Sequence, residues 1–405
     1  MRNTCKYYCA FISAAILLGG CGLNVSVTEP KPAEIPADVS EETDADIPAE
    51  TVGIRDCVTK EDALGEGAVF GTCIGLGDIS DDALMQLIYD NYNAVTLENE
   101  LKPDAMLGHS NNGVPTLDHS RADAILDTIL EHNTKDPERP IRVRGHVLVW
   151  HSQTPDWFFR EDYDSNKDYV SSDEMNTRME WYIRSMLEYY TGENSKYADL
   201  FYGWDVVNEA ISDRTGSYRS DTEGSTWWKI YGSNEYIINA FRYANMYAPS
   251  DLDLYYNDYN DCDKKKIAGI LKLIDDVKAA EGTRLDGFGM QGHYGMNAPT
   301  AETIEECARR YASAVDKIMI TELDVKTSMF FKNNEEGIRK EYERQADYYA
   351  SIYDVLKKLH KDGIDVAGLT FWGVIDTRTW LGKPNCPLLF DGQYQPKPAY
   401  YVFMQ

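Results

Sequence analysis

The feature that most constrains this chain is an alternation of short apolar stretches with longer helical patterns, which repeats eight times without an internal linker. The short stretches are rich in β-branched and aromatic residues, as buried strands are. The segments between them carry apolar residues at helical spacing, as at 81–92, 174–190 and 264–282. The eight predicted strands are 68–74, 93–99, 141–150, 202–209, 252–260, 285–293, 317–325 and 366–374.

Eight β-then-α units predict the α/β fold class, in the form of a single (β/α)8 TIM barrel over residues 57–405. An open, doubly wound sheet is the alternative. No glycine-rich phosphate loop follows the first predicted strand, which argues against the nucleotide-binding versions of that sheet.

Polar residues follow the apolar part of most predicted strands. In a parallel barrel the carboxyl ends of all strands meet at one face, and barrel enzymes place their active sites there. The sequence therefore predicts a shared cleft at this face. The residues concerned are Glu98 and Asn99, His146 to His151, Asn208 and Glu209, Asn257 and Asp258, Gln291 and His293, Glu322 and Asp324, and Trp372.

Two of these strand ends carry carboxyl groups that suit acid–base chemistry, Glu209 and Glu322. A general acid must hold its proton at working pH, whereas a nucleophilic carboxylate must stay ionised, and different surroundings can separate their pKa values in this way. A single glutamate at a strand end is as often an ion pair or a helix cap. The pair, surrounded by Trp, Asn, Gln and His, favours catalysis.

Composition narrows the range of ligands. The formal charge of −27 repels nucleic acid, so none is expected as a partner, and it also repels anionic membrane surfaces. Aromatic residues make up 12% of the chain, with 28 Tyr and 8 Trp. Their flat faces suit sugars, although large aromatic cores would account for them equally well.

The first 56 residues read as a targeting segment. Arg2 and Lys6 precede an apolar run that is too short to span a bilayer, and Leu18-Gly19-Gly20-Cys21 resembles a bacterial lipobox. This predicts a signal peptide over 1–20 and lipidation of Cys21. The acidic, proline-rich stretch in 21–56 then predicts a disordered tether.

An ordinary secretory signal is the alternative to the lipobox. We expect an exported lipoprotein, either at the cell surface or in the outer membrane and periplasm, in contact with membrane through its lipid anchor only. Cleavage would leave Cys57, Cys73, Cys262, Cys307 and Cys386 as unmodified thiols. These cysteines lack C-x-x-C spacing, so no metal site is expected. We expect most of them to be buried free thiols, and one disulfide could form among them.

Seven segments with aromatic and polar residues stand out along the chain. They are "NAVTLENELK" (93–102), "RGHVLVWHSQTPDWF" (144–158), "WDVVNEA" (204–210), "YYNDYN" (255–260), "DGFGMQGHY" (286–294), "ITELDV" (320–325) and "FWGVIDTRTWL" (371–381). In this order they resemble glycoside hydrolase family 10, the retaining endo-β-1,4-xylanases, over about residues 65–403. One segment alone would be modest support; seven in the same order are strong.

The resemblance implies a role for each matching residue. Glu209 looks like the acid/base and Glu322 like the nucleophile, with Asn208 on the sugar 2-hydroxyl and with His293 and Asp324 tuning the nucleophile. The implied substrate-binding residues are Lys102, His146 and Gln291 at the sugar being cleaved, Glu98 and Asn99 at the next sugar, and Trp150, Trp372 and Trp380 as aromatic walls.

Taken without the resemblance, several of these residues have ordinary structural readings. His146 is readable as a core histidine, Lys102 as a solvated charge at a helix end, and Trp150 and Trp372 as barrel packing. The sequence also departs from the family pattern at Pro103-Asp104, where members often carry Trp-Asp or Trp-Glu. This departure affects the outer glycone-side subsites.

The implied activity is endo-acting hydrolysis of β-1,4 bonds in xylan and xylo-oligosaccharides, with retention of configuration and without a cofactor. A β-1,4-glucanase or an enzyme of mixed specificity is one alternative, because xylose and glucose differ by a CH₂OH group. A surface polysaccharide-binding protein without catalysis is another, against which the presence of both carboxylates argues.

Overall fold

The computed structural model describes residues 52–109, 113–327 and 334–405. Eight parallel strands form a closed ring in these residues, and each strand pairs with the next and the eighth with the first. The strands are β1 (Val69–Ile74), β2 (Ala94–Leu97), β3 (Arg142–Trp150), β4 (Phe201–Asn208), β5 (Asp253–Asp258), β6 (Gly287–Met290), β7 (Lys317–Lys326) and β8 (Val366–Phe371).

A longer helix follows each of the first seven strands within the described residues. These helices are α1 (Asp82–Asn91), α2 (Ser120–Lys135), α3 (Ser172–Thr191), α4 (Glu235–Tyr247), α5 (Lys264–Lys278), α6 (Ala301–Ala312) and α7 (Glu335–Lys361). The predicted (β/α)8 barrel is confirmed, and the doubly wound alternative is excluded because the ring is closed.

The sequence explains where most of these helices begin. A Ser, Thr, Asp or Asn precedes the first turn, and its side-chain oxygen accepts a hydrogen bond from a backbone N–H that has no partner within the helix. The capping residues are Asp81, Ser171, Asp263, Thr300 and Asn334. The strands are apolar and buried along almost their whole length, as expected when side chains on both faces are covered.

Shorter elements surround the barrel. Two strands, Leu107–His109 and Pro115–Leu117, form an antiparallel pair after β2, and His293–Gly295 extends the edge of β7. Short α-helices span Ile54–Val58, Pro103–Met106 and Thr226–Tyr231. The 3₁₀ turns are Asp156–Phe159, Glu161–Tyr163, Ala198–Leu200, Asp221–Glu223, Lys383–Asn385 and Tyr400–Met404.

The seam between β1 and β8 joins the two ends of the barrel sequence. Val69 pairs with Gly368 in the ladder. Above the ladder, Arg378 from the segment after β8 forms ion pairs with Asp78 and Asp81 from the β1–α1 loop. Near the other end, the hydroxyl of Tyr400 donates to Asn91 at 3.0 Å.

The predicted boundary at residue 57 requires correction. It falls inside the helix Ile54–Val58, in which Ile54 is fully buried and Arg55 donates to the carbonyls of Tyr92, Arg139 and Pro140. A five-residue helix is too short to leave a periodic signal, and the acidic stretch before it concealed its start. The predicted signal peptide, Cys21 and most of the predicted tether lie outside the described residues.

Two predictions about cysteines and membranes concern the described part of the chain. Within it, Cys57, Cys73, Cys262 and Cys307 are free thiols, as expected for most of the cysteines, and Cys57, Cys73 and Cys307 are buried. Over residues 52–109, 113–327 and 334–405, no helix is both long and apolar enough to cross a membrane.

Candidate active site

Glu209 and Glu322 lie at the mouth of the barrel and are linked through neutral side chains. Gln291 donates through Nε2 to Glu209 Oε1 and to Asn208 Oδ1, both at 3.1 Å. Asn257 donates through Nδ2 to the same Asn208 oxygen at 3.3 Å and to Glu322 Oε1 at 2.7 Å. One chain of hydrogen bonds therefore connects the two carboxyl groups.

Glu209 follows the last residue of β4 and is only partly exposed. Trp150 donates from its indole nitrogen to Glu209 Oε2 at 3.0 Å. Burial raises the pKa of Glu209, and the negative charges of Asp258 and Glu322 raise it further, against the hydrogen bonds from Gln291 and Trp150. Glu209 is thus placed to hold a proton above the usual range of a glutamate.

Glu322 lies within β7 and is buried. Burial alone would raise its pKa, but the hydrogen bond from His293 and the nearby His146 and Lys102 outweigh that effect. The pKa of Glu322 is therefore below its ordinary value. A carboxyl that stays ionised while buried suits nucleophilic attack.

His293 links Glu322 to a second carboxyl. Its Nε2 lies 3.2 Å from Glu322 Oε2 and its Nδ1 lies 2.9 Å from Asp324 Oδ2. Burial would lower the pKa of His293, but Asp324 and Glu322 together raise it to about 10. His293 therefore carries a proton at neutral pH and holds positive charge beside Glu322. The Trp380 indole nitrogen also donates to Asp324 Oδ2, at 2.8 Å.

Lys102 follows β2 in the chain, and its charge interacts with that of Glu322. Its ammonium donates to Asn99 Oδ1 at 3.1 Å and to Gln153 Oε1 at 3.0 Å, and it lies 5.1 Å from the centre of the Trp150 ring. Lys102 is only 6% exposed, which excludes the reading as a solvated helix-end charge. Burial lowers its pKa, against the attraction of Glu322 and Glu98.

His146 and Trp372 lie beside Trp150 at the mouth of the barrel. The His146 ring lies 5.6 Å from that of Trp372 and 6.4 Å from that of Trp150. His146 Nδ1 lies 2.8 Å from Asp205 Oδ2, and Asp205 in turn pairs with the buried Arg144. This internal chain orients the His146 ring from below the mouth.

The structure thus brings most of the predicted residues into one network of contacts. Trp380 is 54% exposed at the rim, and Asn99 is also exposed beside Lys102. Glu98 is half-buried, and burial raises its pKa while Lys102 opposes that effect. Cys21 lies outside the described residues.

Sequence reasoning missed five residues of this network. Asn257 and Asp258 are predicted as polar residues at a strand end but are given no role there. Gln153 lies inside a quoted motif. Asp205 contacts the His146 ring, and Arg219 donates to the backbone carbonyl of Glu209. Neither contact leaves a local pattern in the sequence.

In the part of the chain that the structure describes, no group of three or more His, Cys, Asp or Glu side chains could hold a metal ion.

Comparisons with known proteins agree with this geometry. Residues 59–405 match the family model for glycosyl hydrolase family 10. The chain is 36% identical over 348 residues to endo-1,4-beta-xylanase Y of Acetivibrio thermocellus. The alignment covers 82% of this chain and 30% of that protein. It is 35% identical over 331 residues to an endo-1,4-beta-xylanase of Geobacillus stearothermophilus. That alignment covers 79% of this chain and 90% of the relative.

The fold is also similar to a crystal structure from Clostridium thermocellum, of N-terminal modules of endo-1,4-beta-D-xylanase 10B in complex with xylohexaose. The TM-score is 0.76 at 32% sequence identity, and the match covers 87% of this chain and 67% of that one. The chain spans less than a third of the Acetivibrio relative but most of the Geobacillus relative.

Proposed function

The chain belongs to glycosyl hydrolase family 10, and on that premise we propose that it hydrolyses β-1,4-xylosidic bonds within xylan chains, with retention of configuration. The observation that carries the proposal is the pair of carboxyls whose pKa values are displaced in opposite directions at one barrel mouth. The names of the xylanase relatives support xylan as the substrate.

In the first step Glu209 gives its proton to the oxygen of the leaving sugar. Glu322 attacks the anomeric carbon from the opposite side, so a bond from Glu322 to that carbon forms as the glycosidic bond breaks. The leaving chain departs with the proton as a free hydroxyl. A covalent glycosyl-enzyme remains, and Glu209 is now ionised.

In the second step Glu209 takes a proton from water, and the resulting hydroxide oxygen attacks the same carbon. The bond to Glu322 breaks, and both carboxyls return to their starting states. The exchange of roles has an electrostatic cause. While Glu322 is glycosylated it carries no charge, so one of the influences that raise the pKa of Glu209 is absent and Glu209 acts as a base.

The remaining site residues support these steps in the proposed scheme. Asn208 is held by Asn257 and Gln291 in a position to bind the 2-hydroxyl of the sugar, while protonated His293 and Asp324 keep Glu322 ionised. Hydroxyl groups of the sugars on the glycone side are bound by five polar residues: Lys102, His146, Gln291, Glu98 and Asn99. The rings of Trp150, Trp372 and Trp380 form the walls.

The decisive experiment is an activity screen on soluble xylan and on carboxymethyl-cellulose, with product sizes resolved and the first-formed anomer identified by NMR. We expect xylo-oligosaccharides of several lengths and the β-anomer first. Faster release from carboxymethyl-cellulose would favour the glucanase alternative. Binding to xylan without release of reducing ends would favour a non-catalytic binding protein.

We further propose export as a lipoprotein that is anchored through Cys21 and a tether. The support is sequence alone: the run that ends in Leu18-Gly19-Gly20-Cys21 and the acidic stretch after it. Cys21→Ser should release the protein from membranes and leave kcat on xylan unchanged. Equal partitioning of wild type and variant in detergent phase separation would contradict the proposal.

A further inference from the structure

The backbone at Glu209 adopts a conformation that a glutamate rarely takes. Its φ is 55°, in the left-handed region, where a side chain crowds the following carbonyl. β4 ends at the preceding residue, so this turn sets the direction of the Glu209 side chain. Such a conformation persists only where the surroundings hold it.

Strand β5 holds one side of the turn. The N–H of Glu209 donates to the carbonyl of Asn257 at 2.9 Å. The next N–H, that of Ala210, donates to the hydroxyl of Tyr256 at 3.0 Å. These contacts fix the N–H groups on either side of the Glu209 α-carbon and leave its carbonyl oxygen for another partner.

Arg219 is that partner. Its Nε donates to the Glu209 carbonyl at 2.9 Å, and one terminal nitrogen reaches the Ile211 carbonyl at 3.4 Å. Its own backbone N–H donates to the carbonyl of Ala210 at 2.7 Å. Three successive carbonyls after β4 therefore accept hydrogen bonds from one residue.

A tight hairpin returns Arg219 to this position. Ser212 donates its N–H to the carbonyl of Ser217 at 2.8 Å, and Ile211 and Tyr218 pair as a bridge. Gly216 has a φ of 68°, and a Cβ there would lie 2.5 Å from the carbonyl oxygen of Lys265 at the start of α5. The hairpin is thus seated against α5, which restricts where Arg219 can lie.

The terminal nitrogen of Arg219 that reaches the Ile211 carbonyl also contacts partners away from the catalytic carboxyl. It donates to the hydroxyl of Tyr259 at 3.2 Å and lies 3.8 Å from Asp213. Arg219 is 8% exposed. Its contact with Glu209 is to the backbone carbonyl, so it fixes the position of the acid without pairing with the carboxyl group.

We propose that Arg219 is a positioning residue for proton transfer, which holds the left-handed turn at Glu209 and so keeps its carboxyl against Trp150 and Gln291. The inference rests on the proposed function, in which Glu209 is the acid. Without Arg219 the turn relaxes, the carboxyl moves away from the glycosidic oxygen, and steps that need a proton slow more than steps that do not.

The test compares two aryl β-xylobiosides, one with a very acidic leaving group (3,4-dinitrophenol) and one with a poor one (phenol). The first needs no protonation, whereas the second does. For Arg219→Met we expect kcat/KM on the phenyl substrate to fall about 10-fold or more beyond its fall on the dinitrophenyl substrate. Arg219→Lys keeps one donor group and should fall between wild type and Arg219→Met.

Arg178→Met is the matched control. Arg178 is also buried, and its guanidinium donates to two backbone carbonyls, those of Phe158 and Arg160, both at 2.8 Å. Its removal should lower Tm while the ratio between the two substrates stays at the wild-type value. A change in that ratio of the same size as in Arg219→Met would overturn the proposal.

The outcomes separate this inference from the proposed function. Wild type that releases no sugar from xylan or from either aryl substrate contradicts the function itself. An active wild type, with equal loss on both aryl substrates in Arg219→Met, contradicts only the positioning role. If Arg219→Met does not fold, Arg219→Lys decides, and an unchanged substrate ratio in that variant overturns the proposal.

Discussion

Strands β4 and β7 present the same functional group to the same cleft, but in surroundings that shift its pKa in opposite directions. Just after β4, Glu209 accepts hydrogen bonds from neutral donors, an indole and an amide, and the negative charge of Asp258 lies nearby. Within β7, Glu322 contacts a protonated histidine and lies near Lys102. The difference between the two pKa values is therefore set by the residues around each carboxyl group and not by residue type.

The strongest way to break this comparison is to remove the ionised member. Glu322→Ala should lower hydrolysis of every substrate by more than about 10⁴-fold, whatever the leaving group, because no covalent intermediate can form. The measurement is kcat/KM on xylan and on dinitrophenyl xylobioside. Glu131→Ala, on the exposed face of α2, serves as the control and should behave as wild type.

Removing Glu209, the member whose pKa is raised, should give a smaller and selective loss. Glu209→Ala should lower activity on xylan by about 10²–10⁴-fold. With dinitrophenyl xylobioside the first step survives, so a burst of dinitrophenol should appear while the glycosyl-enzyme accumulates. Azide, which needs no deprotonation, should speed turnover and yield the β-glycosyl azide.

Together the two variants can reverse the assignment. A burst and azide rescue to a β-product in Glu322→Ala, but not in Glu209→Ala, would exchange the two roles.

Of the two glutamates, Trp380 lies on the side of Glu322, where its indole nitrogen donates to Asp324, the partner of His293. Trp380→Ala should raise KM by about 5- to 150-fold, since stacking of a ring on a sugar contributes roughly 1–3 kcal/mol. Tm should change little, because 54% of the residue is exposed. Tyr401→Ala, which removes a similarly exposed ring (55%), is the control and should leave KM unchanged. A large fall in Tm with unchanged KM would contradict a binding role.

The smallest expected effect at neutral pH is that of His293→Asn, which sharpens the comparison. Without the His293 proton the pKa of Glu322 should rise, so the acidic limb of the kcat/KM profile moves to higher pH. The basic limb, which Glu209 sets in the proposed mechanism, should move less. An acidic limb that stays in place would mean that His293 does not keep Glu322 ionised.

The raised pKa of His293 also predicts how the stability of the folded protein depends on pH. The pKa of His293 is raised from 6.5 to about 10 in the folded protein, so its stabilising contribution is complete below about pH 6.5. That contribution is lost as pH rises through about 10. The difference in Tm between wild type and His293→Asn should therefore shrink between these pH values, as measured by thermal unfolding. A constant difference would contradict the raised pKa.

The parts of the molecule that could be predicted from sequence are those that depend on local periodicity. Runs such as 68–74 and 317–325 bury both faces, and residues such as Asp81 and Ser171 cap helices, so strands, helices and their order follow from neighbouring residues. Glu209 and Glu322 were found because a polar residue at the end of a buried strand is conspicuous.

What could not be predicted depends on contacts with the backbone and across the barrel. Arg219 recognises carbonyl oxygens, which every residue supplies, so its partner leaves no trace in the sequence. The turn at Glu209, where φ is left-handed, is bounded by hydrogen bonds to Asn257 and Tyr256 on a neighbouring strand, and contacts across strands leave no local pattern in the sequence. The start of the folded region was missed because Arg55 is held by carbonyls far along the chain.

The seam between β1 and β8 has a consequence for how the chain reaches its fold. Arg378 and Asp78, which join across it, are 300 residues apart. Synthesis or transport releases the first strand long before the last, and until β8 emerges both β1 and β7 keep an unpaired edge. Because chain entropy must be given up before such distant contacts form, ring closure should be a late and slow event. A chain cut before Val366 lacks β8 altogether and would therefore form an open, aggregation-prone sheet and not a smaller barrel.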